Sequence, residues 1–134
     1  YVMAELEHIG TTPANYGMIH ADLSIGNLLV QDGEIYIIDF EQLGRGHFLY
    51  DLAILRNELL SESAGDATRW SSFVEGYGEV AEWPLRQEAE LQPFIITPQL
   101  NFLDWYYNSM NPTVLADQEH LVPSVYESIR RMLV

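Results

Sequence analysis

The side chains best suited to chemistry lie close together in the first third of the sequence. His20, Asp22 and Asn27 fall within eight residues, and Asp39 follows a short apolar stretch. Carboxylate and amide oxygens are the ligands that a hard cation such as Mg²⁺ prefers. If Asp22, Asn27 and Asp39 converge, they form a magnesium site, so we expect Mg²⁺ as the cofactor of this segment.

Phosphoryl transfer is the reaction that these side chains suit. It needs in-line positioning of a hydroxyl and neutralisation of charge on the phosphate oxygens, and little covalent chemistry from the protein. Asp22 would accept the proton of the attacking hydroxyl, while Asn27 and Asp39 would hold Mg²⁺ against the phosphates of ATP. His20 is expected to shape the loop rather than to react.

A predicted β-hairpin brings these residues to one place. The short apolar runs Leu28–Val30 and Ile35–Ile38 flank Asp32–Gly33, a pair typical of a two-residue hairpin turn. The site residues precede the first run and follow the second, so they would share one end of the hairpin. The sequence predicts no other strand pair, and Gly44–Gly46 is predicted to be a turn.

Most of the remaining chain is predicted to be helical. Pro98 follows Thr97, a plausible N-cap, and is therefore predicted to open a new helix. Helical spacing of apolar residues predicts helices at Val2–Ile9, from Phe48 onward, at about Asp66–Val80, near Leu85–Phe94 and Gln99–Ser109, and at a last segment ending in Arg130 and Arg131. We expect a single α+β domain over residues 1–134.

The catalytic segment matches a known motif. His20–Asn27 fits the kinase catalytic-loop pattern H-x-D-L-x-x-x-N, and Asp39 with Phe40 fits the first two residues of D-F-G. The four fixed residues would occur by chance in about one chain of this length in a thousand. Ala21 replaces the arginine of protein kinases and Glu41 replaces the glycine, so an ordinary protein kinase is disfavoured.

The surrounding sequence resembles the aminoglycoside phosphotransferase and choline kinase superfamily, including its homoserine-kinase-like members. The resemblance extends over about Tyr16–Leu55 and rests on the runs Tyr16–Leu23, Gly26–Leu29, Ile38–Phe40 and Leu49–Ala53. It implies the mostly helical C-terminal lobe of a protein-kinase-like fold.

The same resemblance implies roles for individual residues. Asp22 would be the catalytic base, and Asn27 and Asp39 the metal ligands. His20 and Asp51 would support the catalytic loop. A carboxylate at the start of a helix also suits the helix dipole, so Asp51 has a purely structural alternative that is compatible with this role.

The chain lacks the parts with which kinases enclose ATP. Those parts are a glycine-rich loop and a lysine in an N-terminal lobe, and this sequence contains no lysine. It begins with Tyr1 rather than Met, and a helical pattern is already present at Val2. We therefore expect a piece of a longer parent, inactive alone, whose N-terminal nucleotide lobe is absent from this chain.

Composition and charge limit which kinds of partner this chain is expected to bind and where it is expected to be located. Twenty acidic residues against six arginines give a net charge of −14, which disfavours nucleic acid. Such a field would attract metal ions and cationic substrates, although a solvated acidic surface is the favoured interpretation. The sequence contains no apolar run of about 18 residues, so no membrane span is predicted. The absence of cysteine fits a reducing compartment, so the cytoplasm is expected.

The acceptor and two rival functions stay open. An aminoglycoside, homoserine or a choline-like alcohol would all suit the predicted reaction. One rival is a pseudokinase lobe that acts as a binding module. The other is metal-dependent hydrolysis by His20, Asp22 and Asp39, which lacks a second ligand cluster.

Aromatic and histidine residues elsewhere give weaker signals. A mixture of aromatic side chains and a carboxylate in the helical half could recognise an amine, although apolar packing is the favoured interpretation. These residues are Phe102, Asp104, Trp105, Tyr106 and Tyr107. The other histidines, His8, His47 and His120, show no metal-ligand spacing.

Overall fold

The computed structural model describes residues 2–62, 67–82, 88–108 and 118–132 of the chain. The helices and strands follow in the order α1 (Val2–Ile9), β1 (Tyr16–Ile19), β2 (Leu28–Gln31), β3 (Glu34–Ile37), β4 (Gly44–His47), α2 (Phe48–Glu62), α3 (Thr68–Val80), α4 (Gln92–Asn108) and α5 (Gln118–Met132). Short 3-10 helices lie at Ile25–Asn27, Phe40–Gln42 and Glu88–Leu91.

The predicted hairpin is confirmed. β2 pairs antiparallel with β3, with Leu28 opposite Ile37 and Gln31 opposite Glu34. The turn residues Asp32 and Gly33 both have positive φ, at 54° and 83°. A type I′ turn requires positive φ at both central residues, which is why an Asp-Gly pair connects two strands so directly.

A second strand pair, β1 with β4, was not predicted. Tyr16 lies opposite His47 and Ile19 opposite Gly44, so Gly44–Gly46 is strand and the predicted turn is wrong. A side chain at Gly46 would collide with that of Ile19. Glycine thus marks a close approach between the neighbouring strands β1 and β4 rather than a break in the strand.

The core lies between α2 and α4. Leu49, Leu52 and Ala53 of α2 are buried, and they pack against a buried set at the start of α4. That set comprises Phe94 and Ile95 together with Leu91, which directly precedes α4. The partly buried side chains packed on the core are Leu6, Ile9, Tyr50, Trp70, Phe73 and Tyr77. The aromatic residues of α3 therefore pack against the core.

The predicted break at Pro98 is wrong, because α4 continues through it from Gln92 to Asn108. Proline lacks the N–H that an interior helical position normally donates, and in this turn the Thr97 hydroxyl donates to the Pro93 carbonyl at 2.7 Å. The preceding residues Phe94 and Ile95 are buried against α2. Packing of this apolar face outweighs the local preference for a helix start.

The helices predicted at Val2–Ile9, from Phe48 onward, at about Asp66–Val80 and at the last segment agree with the structure in type and differ at their ends. The helix predicted near Leu85–Phe94 is not a separate one: residues 85–87 lie outside the described residues, Glu88–Leu91 is a 3-10 helix, and Phe94 belongs to α4. α1 ends at Ile9, where the Gly10 N–H donates to the Leu6 carbonyl at 3.0 Å and Gly10 has a φ of 64°. α3 begins at Thr68, and Asp66, its predicted start, lies outside the described residues. In the described part of the chain, no helix is long and apolar enough to cross a bilayer.

Candidate active site

The candidate site lies where β1 ends and where β3 ends. Residues 20–27 form the catalytic loop, which runs from the end of β1 to the start of β2. Asp39 follows β3, and the Ile38 N–H donates to the Asn27 carbonyl at 3.0 Å. This hydrogen bond joins the two segments, so the hairpin carries both halves of the site.

Asp51 in the first turn of α2 clamps the start of the catalytic loop. Its Oδ2 accepts the His20 N–H and its Oδ1 accepts the Ala21 N–H, each at 2.8 Å. Ala21 has a φ of 66°, a left-handed conformation that is unfavourable for a residue with a Cβ. The two-point contact holds the backbone in this conformation.

The charge state of Asp51 reflects two opposing effects. Burial raises the pKa of the Asp51 carboxyl above its ordinary value, and the nearby charge of Asp22 adds to the rise. The N–H donors of His20 and Ala21 favour the carboxylate and oppose this shift. Asp51 therefore acts as a hydrogen-bonded anchor beneath the loop.

The His20 side chain is buried, with 6% of the residue's surface exposed. Its Nε2 lies 2.9 Å from the Ile38 carbonyl, and its Nδ1 accepts the Asp22 N–H at 3.3 Å. A carbonyl can only accept and an N–H can only donate, so in this arrangement Nε2 is the donor to Ile38 and Nδ1 the acceptor from Asp22. His20 thus ties Asp22 to the end of β3.

Asp22 and Asn27 are brought into direct contact. The Asn27 amide nitrogen Nδ2 donates to the Asp22 carbonyl at 2.9 Å and to the Asp22 Oδ2 at 3.0 Å. Both partners are acceptors, so the contact fixes which side of the amide faces Asp22. The Asn27 Oδ1 and the Asp22 Oδ1 accept no hydrogen bond from the described residues and remain for other ligands.

Asp39 is exposed and directly follows Ile38, whose N–H donates to the Asn27 carbonyl. It precedes the 3-10 helix at Phe40–Gln42, has a left-handed φ of 64° and makes no capping hydrogen bond with its side chain. The Phe40 ring packs on the His20 ring with centroids 4.8 Å apart. The segment after β3 is therefore attached to the catalytic loop, while the carboxylate of Asp39 faces outward.

The donor set fits a magnesium ion that a nucleotide helps to hold. Within the described residues, no group of three or more histidine, cysteine or acidic side chains could hold a metal by itself. Mg²⁺ is usually bound through one or two carboxylates together with waters and substrate phosphates. Asn27 and Asp39 carry oxygens of this kind, and such a pair would leave most of the coordination shell to the substrate and water.

Sequence reasoning missed a second acidic contact between α2 and the loop. The Glu58 Oε2 accepts the Ile25 N–H at 2.5 Å. Glu58 lies seven residues after Asp51, and this spacing places both carboxylates on one side of the helix, two turns apart. That spacing is the signal that could have revealed it.

A tyrosine near the site was also missed. The Tyr50 hydroxyl, on α2, accepts the Asn101 Nδ2 of α4 at 3.1 Å. Burial raises the pKa of this hydroxyl, and the charges of Asp51 and Asp22 raise it further, against the opposing hydrogen bond from Asn101. Tyr50 therefore stays neutral and links α4 to the helix that supports the loop.

The other candidate residues lie away from the catalytic loop or outside the described part of the chain. His47 packs its ring against Tyr16 and Phe94, and burial lowers its pKa. His8 is exposed on α1, and Asp104 accepts the side chain of Asn108 on its own helix. The side chains of Phe102, Trp105, Tyr106, Tyr107 and His120 lie outside the described residues.

Comparison with known proteins identifies the family. The model of the phosphotransferase enzyme family matches residues 4–94, which include the whole catalytic loop, Asp39 and Asp51. The chain belongs to this family. The resemblance inferred from the motifs is thereby confirmed.

Two curated relatives are small-molecule kinases. Over 89 residues the chain is 32% identical to amicoumacin kinase of Bacillus subtilis (strain 168), covering 60% of the chain and 26% of that protein. Over 97 residues it is 34% identical to homoserine kinase of Neisseria meningitidis serogroup B (strain ATCC BAA-335 / MC58), covering 64% of the chain and 32% of that protein. The chain thus spans about a third or less of the length of these relatives.

Two solved structures share the fold. A microcompartment-associated aminopropanol kinase superposes with a TM-score of 0.76 at 27% identity, over 98% of the chain and 42% of that protein. Amicoumacin kinase hAmiN, in complex with AMP-PNP, Ca²⁺ and Ami, superposes with a TM-score of 0.69 at 22% identity, over 98% and 40%. The predicted fold class is confirmed: the chain has the mixed α+β, mostly helical fold of a kinase-like protein.

Proposed function

We propose that the protein containing this chain transfers the γ-phosphate of ATP to a hydroxyl group of a small molecule. The observation that carries the proposal is the Asp22–Asn27 contact, which stands on a loop anchored by Asp51. The proposed base, the proposed metal ligand and their support stay joined by hydrogen bonds, which argues against a site that has lost its function. Membership of the phosphotransferase family supports the same reaction class.

Asp22 is assigned the role of base. Its Oδ2 is engaged by the Asn27 amide, so the other carboxylate oxygen is the one available to the acceptor hydroxyl. That oxygen would orient the hydroxyl toward the phosphorus and take its proton as the new O–P bond forms. The His20 ring holds the backbone of Asp22 and thereby fixes the direction of the carboxylate.

Asn27 and Asp39 are assigned to the metal. When bound, Mg²⁺ would neutralise charge on the phosphate oxygens during transfer. The Asn27 Oδ1 points away from Asp22 because Nδ2 faces it, and the Asp39 carboxylate is exposed. Both residues therefore offer an oxygen without first breaking a contact within the described chain.

We infer that a further lobe completes the nucleotide site. The chain has no lysine to contact phosphates, and the β2–β3 hairpin exposes large apolar side chains on both faces. Val30 is 74% and Ile35 67% exposed, with Leu29, Tyr36 and Ile37 also exposed. Contiguous apolar surface of this kind marks a contact area. An N-terminal lobe would cover it and supply the missing phosphate contacts.

The acceptor proposed is a small hydroxyl compound that carries an amine. The net charge of −14 favours a cation over an anion, and homoserine and aminopropanol, named in two of the similar kinases, each contain both an amine and a hydroxyl. The cytoplasm is the proposed location, because ATP is abundant there and a chain without cysteine forms no disulfide that would need an oxidising compartment.

The test is a phosphoryl-transfer assay on the complete protein that contains this chain. A panel of amino alcohols is compared with alcohols of the same length that lack the amine, with ADP and phosphate ester both quantified. Asp22→Asn should lower kcat by about 10²–10⁴-fold, because general-base catalysis contributes on that order. Asp32→Asn, at the hairpin turn, is the matched control and should retain full activity.

The outcomes separate the three interpretations. Ester formation that depends on Asp22 supports the kinase. Binding of Mg²⁺ and ATP without ester formation for any acceptor would contradict transfer and favour a pseudokinase. Release of inorganic phosphate from phosphate esters in the absence of ATP would favour a hydrolase.

A further inference from the structure

Glu58 contacts the catalytic loop at a point that the proposed reaction does not use. Its Oε2 accepts the N–H of Ile25, the first residue of the 3-10 helix at Ile25–Asn27. Both residues are partly buried, and α2 packs directly against this 3-10 helix. The contact therefore joins the rigid helix under the site to the segment that ends in Asn27.

Two carboxylates of α2 thus hold opposite ends of the loop. Asp51 accepts the N–H groups of His20 and Ala21 at the start, and Glu58 accepts that of Ile25 near the end. The residues are seven positions apart, so they project from the same side of the helix two turns apart. This spacing fits a loop that runs along the helix and is fixed at both ends.

The Glu58 contact has a direct route to Asn27. The Asn27 N–H donates to the Ser24 carbonyl at 3.1 Å, so residues 24–27 form one tight turn. Ile25 lies inside that turn, and its N–H is the group that Glu58 holds. Fixing this N–H fixes the orientation of the turn and hence the direction in which the Asn27 side chain leaves it.

We propose that Glu58 is a positioning residue that orients Asn27 toward the metal by holding the Ile25 N–H. This inference rests on the proposed function, since it assigns Asn27 to Mg²⁺. Residues that orient a metal ligand from behind typically change metal affinity or activity by about 10–100-fold when they are removed. Loss of Glu58 is therefore expected to raise the Mg²⁺ concentration needed for half-maximal activity, with less effect on the KM of the acceptor.

The chain offers variants that separate the hydrogen bond from the charge. Glu58→Ala removes both, whereas Glu58→Gln keeps an oxygen acceptor and removes only the charge. Glu79→Ala, on the exposed side of α3, removes a carboxylate far from the loop. Ile25→Pro removes the donor instead. Ser24 has φ −96° and ψ 160°, the extended conformation that a residue preceding proline prefers, so the backbone accommodates this change.

The first measurement is the Mg²⁺ dependence of phosphoryl transfer by the complete protein. We expect Glu58→Ala to raise the half-saturating Mg²⁺ concentration about tenfold. Glu58→Gln and Glu79→Ala should remain close to the unchanged protein. In the Ile25→Pro background, Glu58→Ala should cause no further rise, because the donor is already gone.

Three results would overturn the proposal. An unchanged Mg²⁺ requirement in Glu58→Ala would show that Glu58 does not affect metal binding. Equal shifts in Glu58→Ala and Glu58→Gln would assign it to charge. The same shift with and without Ile25→Pro would show that the Ile25 N–H is not the route.

A second measurement does not depend on the reaction. Amide hydrogen exchange at Ile25 is followed by nuclear magnetic resonance in the metal-free complete protein. Glu58→Ala should lose protection at Ile25, and Glu58→Gln should keep it. Retained protection in Glu58→Ala overturns the contact even if no phosphoryl transfer is detected, whereas absence of transfer with the expected exchange result counts against the proposed function alone.

Discussion

The catalytic loop and the β2–β3 hairpin are neighbours in sequence and are stabilised in opposite ways. The loop is held from beneath by two carboxylates of α2 and by a buried histidine. The hairpin exposes its large apolar residues and is fixed mainly by its own strand pairing. The loop is therefore positioned by contacts within this chain, whereas we propose that the exposed hairpin meets a further lobe.

The largest effect should come from removing the anchor of the loop. Asp51→Ala leaves the N–H groups of His20 and Ala21 without their acceptor in a partly buried place. Each unsatisfied donor costs about 1–3 kcal/mol, so we expect a loss of about 2–6 kcal/mol in the free energy of unfolding. Urea denaturation of the complete protein measures it. A loss no larger than that of Asp32→Asn would mean that the loop does not depend on this clamp.

A matched pair of glycines tests the strand pair that positions the loop. Gly46→Ala would place a methyl group against Ile19, which directly precedes His20, so we expect a loss of about 1–3 kcal/mol in the free energy of unfolding. Gly76→Ala, in α3, meets no atom within 4 Å and should stabilise the protein by about 0.4–1 kcal/mol. Thermal unfolding of both variants provides the comparison. Equal signs would contradict the close packing of β1 on β4.

The exposed hairpin gives a smaller effect that should depend on context. Val30→Thr places a hydroxyl at a position that is 74% exposed in this chain. The free energy of unfolding of this chain alone should therefore change by less than about 0.5 kcal/mol. In the complete protein, we expect a larger loss because a covering lobe would bury the hydroxyl. Leu52→Ala, in the core, should destabilise both forms equally. Equal effects of Val30→Thr in both would argue against a lobe over the hairpin.

The smallest effect concerns pH. Because the pKa of the Asp51 carboxyl is raised, the folded state binds a proton at this carboxyl more tightly than the unfolded state does. The difference acts at pH values between the ordinary pKa of 3.8 and the raised pKa of the folded state. The contribution of Asp51 to the free energy of unfolding should therefore fall as pH rises through that window and stay level above it. The difference between the unchanged protein and Asp51→Asn isolates this contribution from that of the other carboxylates. A difference that grows with pH would contradict the sign.

Local patterns made part of the molecule predictable. The hairpin followed from the Asp32–Gly33 pair, because few other residues adopt its turn. Asp22, Asn27 and Asp39 were expected to share one end of the hairpin, and the structure places Asp22 and Asn27 in direct contact. Their proposed roles in catalysis and metal binding stay predictions.

Other features depend on contacts between distant residues. The β1–β4 pair joins segments separated by the whole hairpin, and two glycines gave β4 the composition of a turn. Pro98 lies inside α4 because burial of Phe94 and Ile95 outweighs its local preference. Glu58 was missed because holding a backbone N–H requires no motif at either partner.

The central claim is that Asn27 and Asp39 hold the metal that binds the nucleotide, and calorimetry tests it most directly. ATP is titrated into the complete protein with and without Mg²⁺, alongside Asp39→Asn and Asp32→Asn. The two aspartates form a matched pair, because both have left-handed backbones, with φ of 64° and 54°. We predict that Asp39→Asn weakens Mg²⁺-dependent ATP binding by about tenfold or more and that Asp32→Asn leaves it unchanged. Equal Mg²⁺-dependent affinity in both variants would contradict the assignment of the metal site.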